Sequence, residues 1–86
     1  MEINTVLKRP VSTEKAIKMM EADNKMVFIV RKKATKSEIK QAFESAFSAK
    51  VTKVNTLITP QGHKKAFITL SPEKPALDIA TQLGLM

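Results

Sequence analysis

The sequence predicts an α+β fold, an about four-stranded and mainly antiparallel sheet packed with helices in the order β-α-β-α-β-β-α. Three observations lead there. Three stretches repeat apolar residues at the spacing of a helix, four others alternate or run together as strands do, and turn-forming residues stand between them. With 86 residues the chain is expected to be a single domain, residues 1–86, and two layers are about as much architecture as that length supports. It shows no internal repeat, linker or low-complexity segment.

Residues 3–8 read as a first strand, with Ile3, Thr5 and Leu7 on one side and Asn4, Val6 and Lys8 on the other. Pro10 should end it, because proline cannot donate to a ladder. Ser12 or Thr13 then caps a short helix over residues 14–22, with Ala16, Ile17 and Met20 as its apolar stripe. Glu14 lies in the first turn, where a carboxylate meets the positive end of the helix dipole. Asp23-Asn24 is a turn signal. Residues 25–31 form a strand whose run Met26-Val27-Phe28-Ile29-Val30 suits an interior position covered on both faces.

The chain is organised around residues 36–58. Thr35 is a candidate N-cap with Glu38 three residues on, the capping-box spacing. Ile39, Ala42, Phe43, Ala46 and Phe47 then give one apolar stripe, with Lys36, Lys40 and Glu44 on another face. The strand that follows places Thr52, Val54, Thr56 and Ile58 on one side and Val51, Lys53, Asn55 and Leu57 on the other. A face offering Lys53 beside Asn55 is more than a core face. Residues 59–63 form a tight turn, and residues 65–70 are the return strand of a hairpin, closed by Ser71-Pro72. Pro75 suits the first position of a last helix, with Ala76, Ile79, Ala80 and Leu83 as its stripe and Gly84 as its C-cap.

Composition excludes several classes. Without cysteine there are no disulfides, thiolate metal sites or cysteine nucleophiles, which suits a reducing cytosol. No apolar run approaches the roughly 20 residues that span a bilayer, so no membrane insertion is expected, and the opening MEINT shows no secretory signal. His63 is the one histidine, set in a turn with no companion for a metal site, and its role stays open. Gly62 and Gly84 are the only glycines, so there is no Gly-rich phosphate loop. No metal or cofactor is expected.

The net charge of +7 is concentrated: residues 31–65 alone carry +7, against +1 for residues 1–30 and −1 for residues 66–86. Such a block draws a polyanion by electrostatic steering and counterion release. The cations are Lys8-Arg9, Arg31-Lys32-Lys33, Lys36, Lys40, Lys50, Lys53 and Lys64-Lys65, mostly at helix starts, strand ends and the hairpin turn. Only two of the fifteen cations are arginine, which favours contact with phosphates over reading of base edges. Phe28, Phe43 and Phe47 read as core, while Phe67 is open to either role. The sequence therefore points to a nucleic-acid-binding protein without catalysis. Two other classes stand beside it. One is a protein-interaction module whose basic face meets acidic partners. The other is a small acylphosphatase-like enzyme with Asn55 and Arg9 or Arg31 as its working groups; Glu14 and Glu44 as an acid/base pair would lie on separate helices.

Three stretches resemble one family in the right order and spacing: Leu7-Lys-Arg-Pro-Val-Ser-Thr-Glu-Lys with its T-E-K, the helix Lys36-Ser-Glu-Ile-Lys-Gln-Ala-Phe-Glu-Ser-Ala-Phe, and Lys50-Val-Thr-Lys-Val-Asn-Thr with its V-N-T. The hairpin closing in Lys64-Lys65-Ala66-Phe67-Ile68-Thr69-Leu70 fits as well. The chain resembles the family of the large-subunit ribosomal protein numbered twenty-three. That resemblance implies a cytoplasmic, ribosome-bound structural protein that binds large-subunit ribosomal RNA near the polypeptide exit tunnel. It implies neighbouring large-subunit ribosomal proteins as partners, with the signal recognition particle and the protein-conducting channel as transient visitors and a monomer away from the ribosome. Glu14 matches the acidic residue of the factor-docking surface, and Lys53 and Asn55 match the strand that faces RNA. With Lys15 of the T-E-K and Thr56 of the V-N-T, these join the cations named above as the expected RNA contacts. Bacterial members carry a long basic loop where this chain has a tight turn, so the resemblance is to the archaeal type, and the bacterial ribosome-bound chaperone is not carried over as a partner.

Overall fold

Four strands and three helices make up the computed structural model, which describes residues 5–84: β1 (Leu7–Pro10), α1 (Glu14–Asp23), β2 (Lys25–Val30), α2 (Lys36–Phe47), β3 (Val51–Ile58), β4 (Lys64–Leu70) and α3 (Ala76–Gln82). The element order is the expected one. The strands form one antiparallel sheet in the order β1-β2-β4-β3. β2 is therefore interior, and all of Met26 to Val30 are buried.

The register assigns every side chain to a face. Phe28 stands opposite Ala66, which stands opposite Thr56; in the next row Val27 stands opposite Phe67, which stands opposite Asn55. Because neighbours along a strand alternate, Met26, Phe28, Val54, Ala66 and Ile68 share one face, and Val27, Ile29, Asn55, Lys65 and Phe67 share the other. The first face carries the main core, closed by Ile39 and Phe43 of α2 and by Ile79 and Ala80 of α3. Phe28 and Phe43 meet edge to face at 5.7 Å, and Phe43 and Phe47 lie 4.8 Å apart, so the three rings expected in the core do pack together.

The second face is covered in part by α1. Ala16 and Met19 of that helix border one groove with Val27 and Phe67 of the sheet. Met20, one position on, joins the main core. Helices therefore lie on both sides of the sheet, and the two-layer expectation is corrected to three. The cause is in β2 itself: Val27 and Ile29 point away from the main core and still need cover from water.

Local chemistry explains the element ends. Thr13 Oγ1 accepts from the Ala16 N–H at 3.2 Å and caps α1. At α2 both bonds of the capping box form: the Glu38 N–H donates to Thr35 Oγ1 at 3.1 Å, and the Thr35 N–H donates to Glu38 Oε1 at 2.9 Å. Asn24 ends α1 in the left-handed region with φ 54°. Its amide nitrogen donates to the carbonyls of Leu70, Ser71 and Lys74, and its oxygen accepts from the Ala76 N–H at 2.6 Å. One side chain thus ties the ends of α1 and β4 to the start of α3.

Four expectations shift. The first strand begins at Leu7 and includes Pro10, which an edge strand tolerates; Ile3 and Asn4 lie outside the described residues. A bulge between Val51 and Lys53 turns Val51 to the main core, where it is 2% exposed, while Lys53, Asn55 and Leu57 keep the opposite face. Ala46 is exposed, so the stripe of α2 is narrower than its spacing suggested. At α3 the N-cap is Pro75 and the C-cap is Leu83, with Gly84 just beyond at φ 75°.

Asn24→Ala should cost about 2–4 kcal/mol in urea unfolding, because it loses the hydrogen bonds and strains a left-handed position. Asn24→Gly, which relieves the strain and restores no bond, should cost roughly 1 kcal/mol less. Glu38 is held below the ordinary carboxylate range, chiefly by the bond from the Thr35 backbone, with the Thr35 hydroxyl, Arg31 and Lys64 assisting against slight desolvation. Its contribution to stability is present above the unfolded-state pKa and is lost as pH falls through the lower folded value. Between about pH 5 and about pH 3 the unfolding midpoint should therefore fall less for Glu38→Gln than for the unaltered chain.

Candidate nucleic-acid interface

Charge is divided by element type. Among the described residues the strands carry Lys8, Arg9, Lys25, Lys53, Lys64 and Lys65 and no acid. The helices carry Lys15, Lys18, Lys36 and Lys40 against Glu14, Glu21, Asp23, Glu38, Glu44 and Asp78. Apart from Lys36 and Lys40 of α2, the cations of the basic block thus stand on the sheet and its turns.

One group of cations sits on the second face. Arg9 and Lys65 flank Ile29 from either side, and Lys53 and Lys25 flank Thr69. β3 is the far edge of this face. Lys53 is exposed there and Asn55 is half-buried. Asn55 stands opposite Phe67, and its side-chain amide makes no hydrogen bond among the described residues. Between α1 and the sheet runs a groove of ≈ 180 Å³. Its floor is Val27, Phe67 and Leu57, and its rim includes Lys65 and, from α1, Lys15 and Thr13.

A second group gathers at the hairpin end. Arg31, Lys32 and Lys33 are exposed in the turn that leaves β2, where Val30 pairs with Lys64. The Lys32 ammonium reaches the hairpin turn, 3.6 Å from where a β-carbon on Gly62 would stand. Gly62 itself holds φ 85°, which favours glycine. Arg31 pairs with Glu38 at 3.5 Å, an exposed pair that leaves its charge largely available to a partner. Lys36 and Lys40 are exposed one turn apart on α2.

The remaining expected contacts are placed differently. Lys64 is half-buried and donates to the Ala34 carbonyl at 2.7 Å, which makes it a tie between the hairpin and the turn before α2. Thr56 alternates with Asn55 and points to the opposite side of the sheet, so the V-N-T does not present both residues to one partner. Lys50 is exposed at the other end of the sheet, where its carbonyl accepts from Ser71. Lys8 is exposed on β1 beside a bulge. His63 is exposed in the turn, and no cluster of metal-ligating side chains occurs among the described residues.

Glu14 is exposed on α1 and Glu44 accepts from the Val51 N–H at 3.0 Å on the other side of the sheet, so the two form no acid/base pair. Arg9 and Asn55 lie on opposite edge strands, three strand spacings or roughly 14 Å apart, and Arg31 stands in the turn beyond Val30, with β4 between β2 and the strand of Asn55. The residues named for an acylphosphatase-like site are therefore not brought together. Two features were beyond sequence reasoning. The groove depends on which face α1 covers, and the place of Lys25 on the cationic face depends on the pairing of β2 with β4.

Residues 5–70 match the family model for ribosomal protein L23. The chain is also 46% identical over 85 residues, 99% of each chain, to the large ribosomal subunit protein uL23 of the archaeon Methanococcus vannielii.

Proposed function

The chain belongs to the ribosomal protein L23 family, and from that premise we propose that its cationic sheet face and hairpin end bind large-subunit ribosomal RNA near the exit of the polypeptide tunnel. It is a structural protein of the large ribosomal subunit and not an enzyme, and its place is the ribosome in the cytoplasm. No helix among the described residues is long and apolar enough to cross a membrane. The observation that carries the RNA reading is the segregation of charge: strands with cations alone stand against helices in which acids outnumber cations. A sheet so charged is well suited to phosphates.

The acidic side chains of the helices are what a polyanion repels, so they suit the surface left free for proteins. Glu14, exposed at the start of α1, is the residue for docking factors such as the signal recognition particle and the protein-conducting channel. Neighbouring large-subunit proteins complete the partners.

Binding to a large-subunit RNA fragment should weaken steeply with salt. Reversing Lys53 and Lys65 to glutamate, or Lys32 and Lys33, should weaken it by about tenfold or more and lower the log–log salt slope by about one per lost phosphate contact. Reversing Lys18 and Lys74 should do much less; equal losses from all pairs in a filter-binding titration would refute the placement of the interface. Glu14→Gln should reduce recruitment of signal recognition particle to reconstituted subunits by about threefold or more and leave RNA affinity unchanged, since an exposed ion pair is worth up to about 1 kcal/mol. Sedimentation with labelled particle would measure it.

A further inference from the structure

Phe28, Phe43 and Phe47 are spent on the main core, whereas Phe67 stands half-buried on the floor of the groove. On the β2 side it is backed by buried Val27, while toward the β3 edge its neighbours on that face are polar. Asn55 is directly across the ladder, which brings the two β-carbons to about 4.5–5.5 Å. Lys65 lies two residues before Phe67 on the same strand face, and Lys15 reaches the rim from α1. Among the described residues the groove has no acidic side chain in its lining.

A peptide with apolar side chains could use the floor, but the setting favours another occupant. A ring on a sheet face, a free amide beside it and two ammonium groups at the rim match the parts of a nucleotide: base plane, base edge and phosphate. Resting on the RNA-binding reading above, we infer that this groove seats one unpaired ribonucleotide, its base stacked on Phe67, its edge met by Asn55 and its phosphates held by Lys15 and Lys65. Backbone contact, which the lysine-rich composition favours, then has one point of base contact within it. The stack supplies affinity that salt does not screen, because it does not depend on counterion release.

The test uses the full chain and a large-subunit ribosomal RNA fragment that the unaltered protein binds. Phe67→Leu keeps apolar volume and removes the ring; it should weaken binding by about tenfold while leaving the salt slope unchanged. Phe67→Tyr keeps the ring and should bind within about twofold of the original. One base shielded from base-directed chemical modification by the unaltered protein should become reactive with Phe67→Leu, with the backbone footprint retained. Asn55→Ala, which breaks no bond within the protein, should expose the same base in part; it keeps the test alive if thermal melts show that Phe67→Leu unfolds. Unchanged affinity and unchanged base protection in both variants would overturn the inference. So would a loss of a neighbouring ribosomal protein from reconstituted subunits with RNA binding intact, which would assign the groove to protein. Failure of the unaltered chain to bind RNA at all would instead remove the RNA reading, and the seat with it.

Discussion

The five consecutive apolar side chains of β2 cannot face water on either side, and that constraint shapes the molecule. It puts β2 inside the sheet, between β1 and β4. It also demands cover on two faces, and among the described residues three short helices are available to give it. α2 and α3 close the main core, leaving α1 for the second face. One helix of ten residues cannot cover a four-stranded face. The part it leaves open is the β3 edge and the start of β4, where Lys53, Asn55 and Lys65 stand. The open cationic face is thus a by-product of how β2 is buried.

Charge follows the same division. A strand residue on the uncovered face has its backbone fixed by the ladder, so its side chain starts from a defined position and less freedom is lost on meeting a partner. Helix residues face outward on all remaining sides and can carry acids that would spoil an RNA surface. The ammonium of Lys64 shows that a cation can also serve the fold: its bond to the Ala34 carbonyl braces the hairpin against the turn that leads into α2. The hairpin end then holds its charges on a stiff base.

Much of this was legible in the residues. Thr35 and Glu38 announce the start of α2 because a capping box is a local pattern, and the unbroken run in β2 announces an interior strand for a similar reason. The alternation in β3 placed Lys53 and Asn55 on a shared face correctly. It misplaced Val51, because a bulge is set by how two strands align and leaves no mark in one of them. The side taken by α1 was illegible for a related reason: its stripe is short enough to pack on either face, and only the need of Val27 and Ile29 for cover decides it. Alternation turns the Thr56 side chain away from that of Asn55, and no spacing reveals the tie that Lys64 makes to Ala34, while the setting of Phe67 emerged only from the register of β4.

The strand order has a consequence for synthesis. β2 pairs on one side with β1, made just before it, and on the other with β4, so that Lys25 waits for Thr69 and Val30 for Lys64. Asn24 likewise waits for the Ala76 N–H. Until those late segments arrive, the most apolar strand has a bare edge, the kind of surface that invites pairing with another chain. Closure of the sheet therefore waits until β4 and the start of α3 have been made, and a product that stopped before β4 would keep that apolar edge bare.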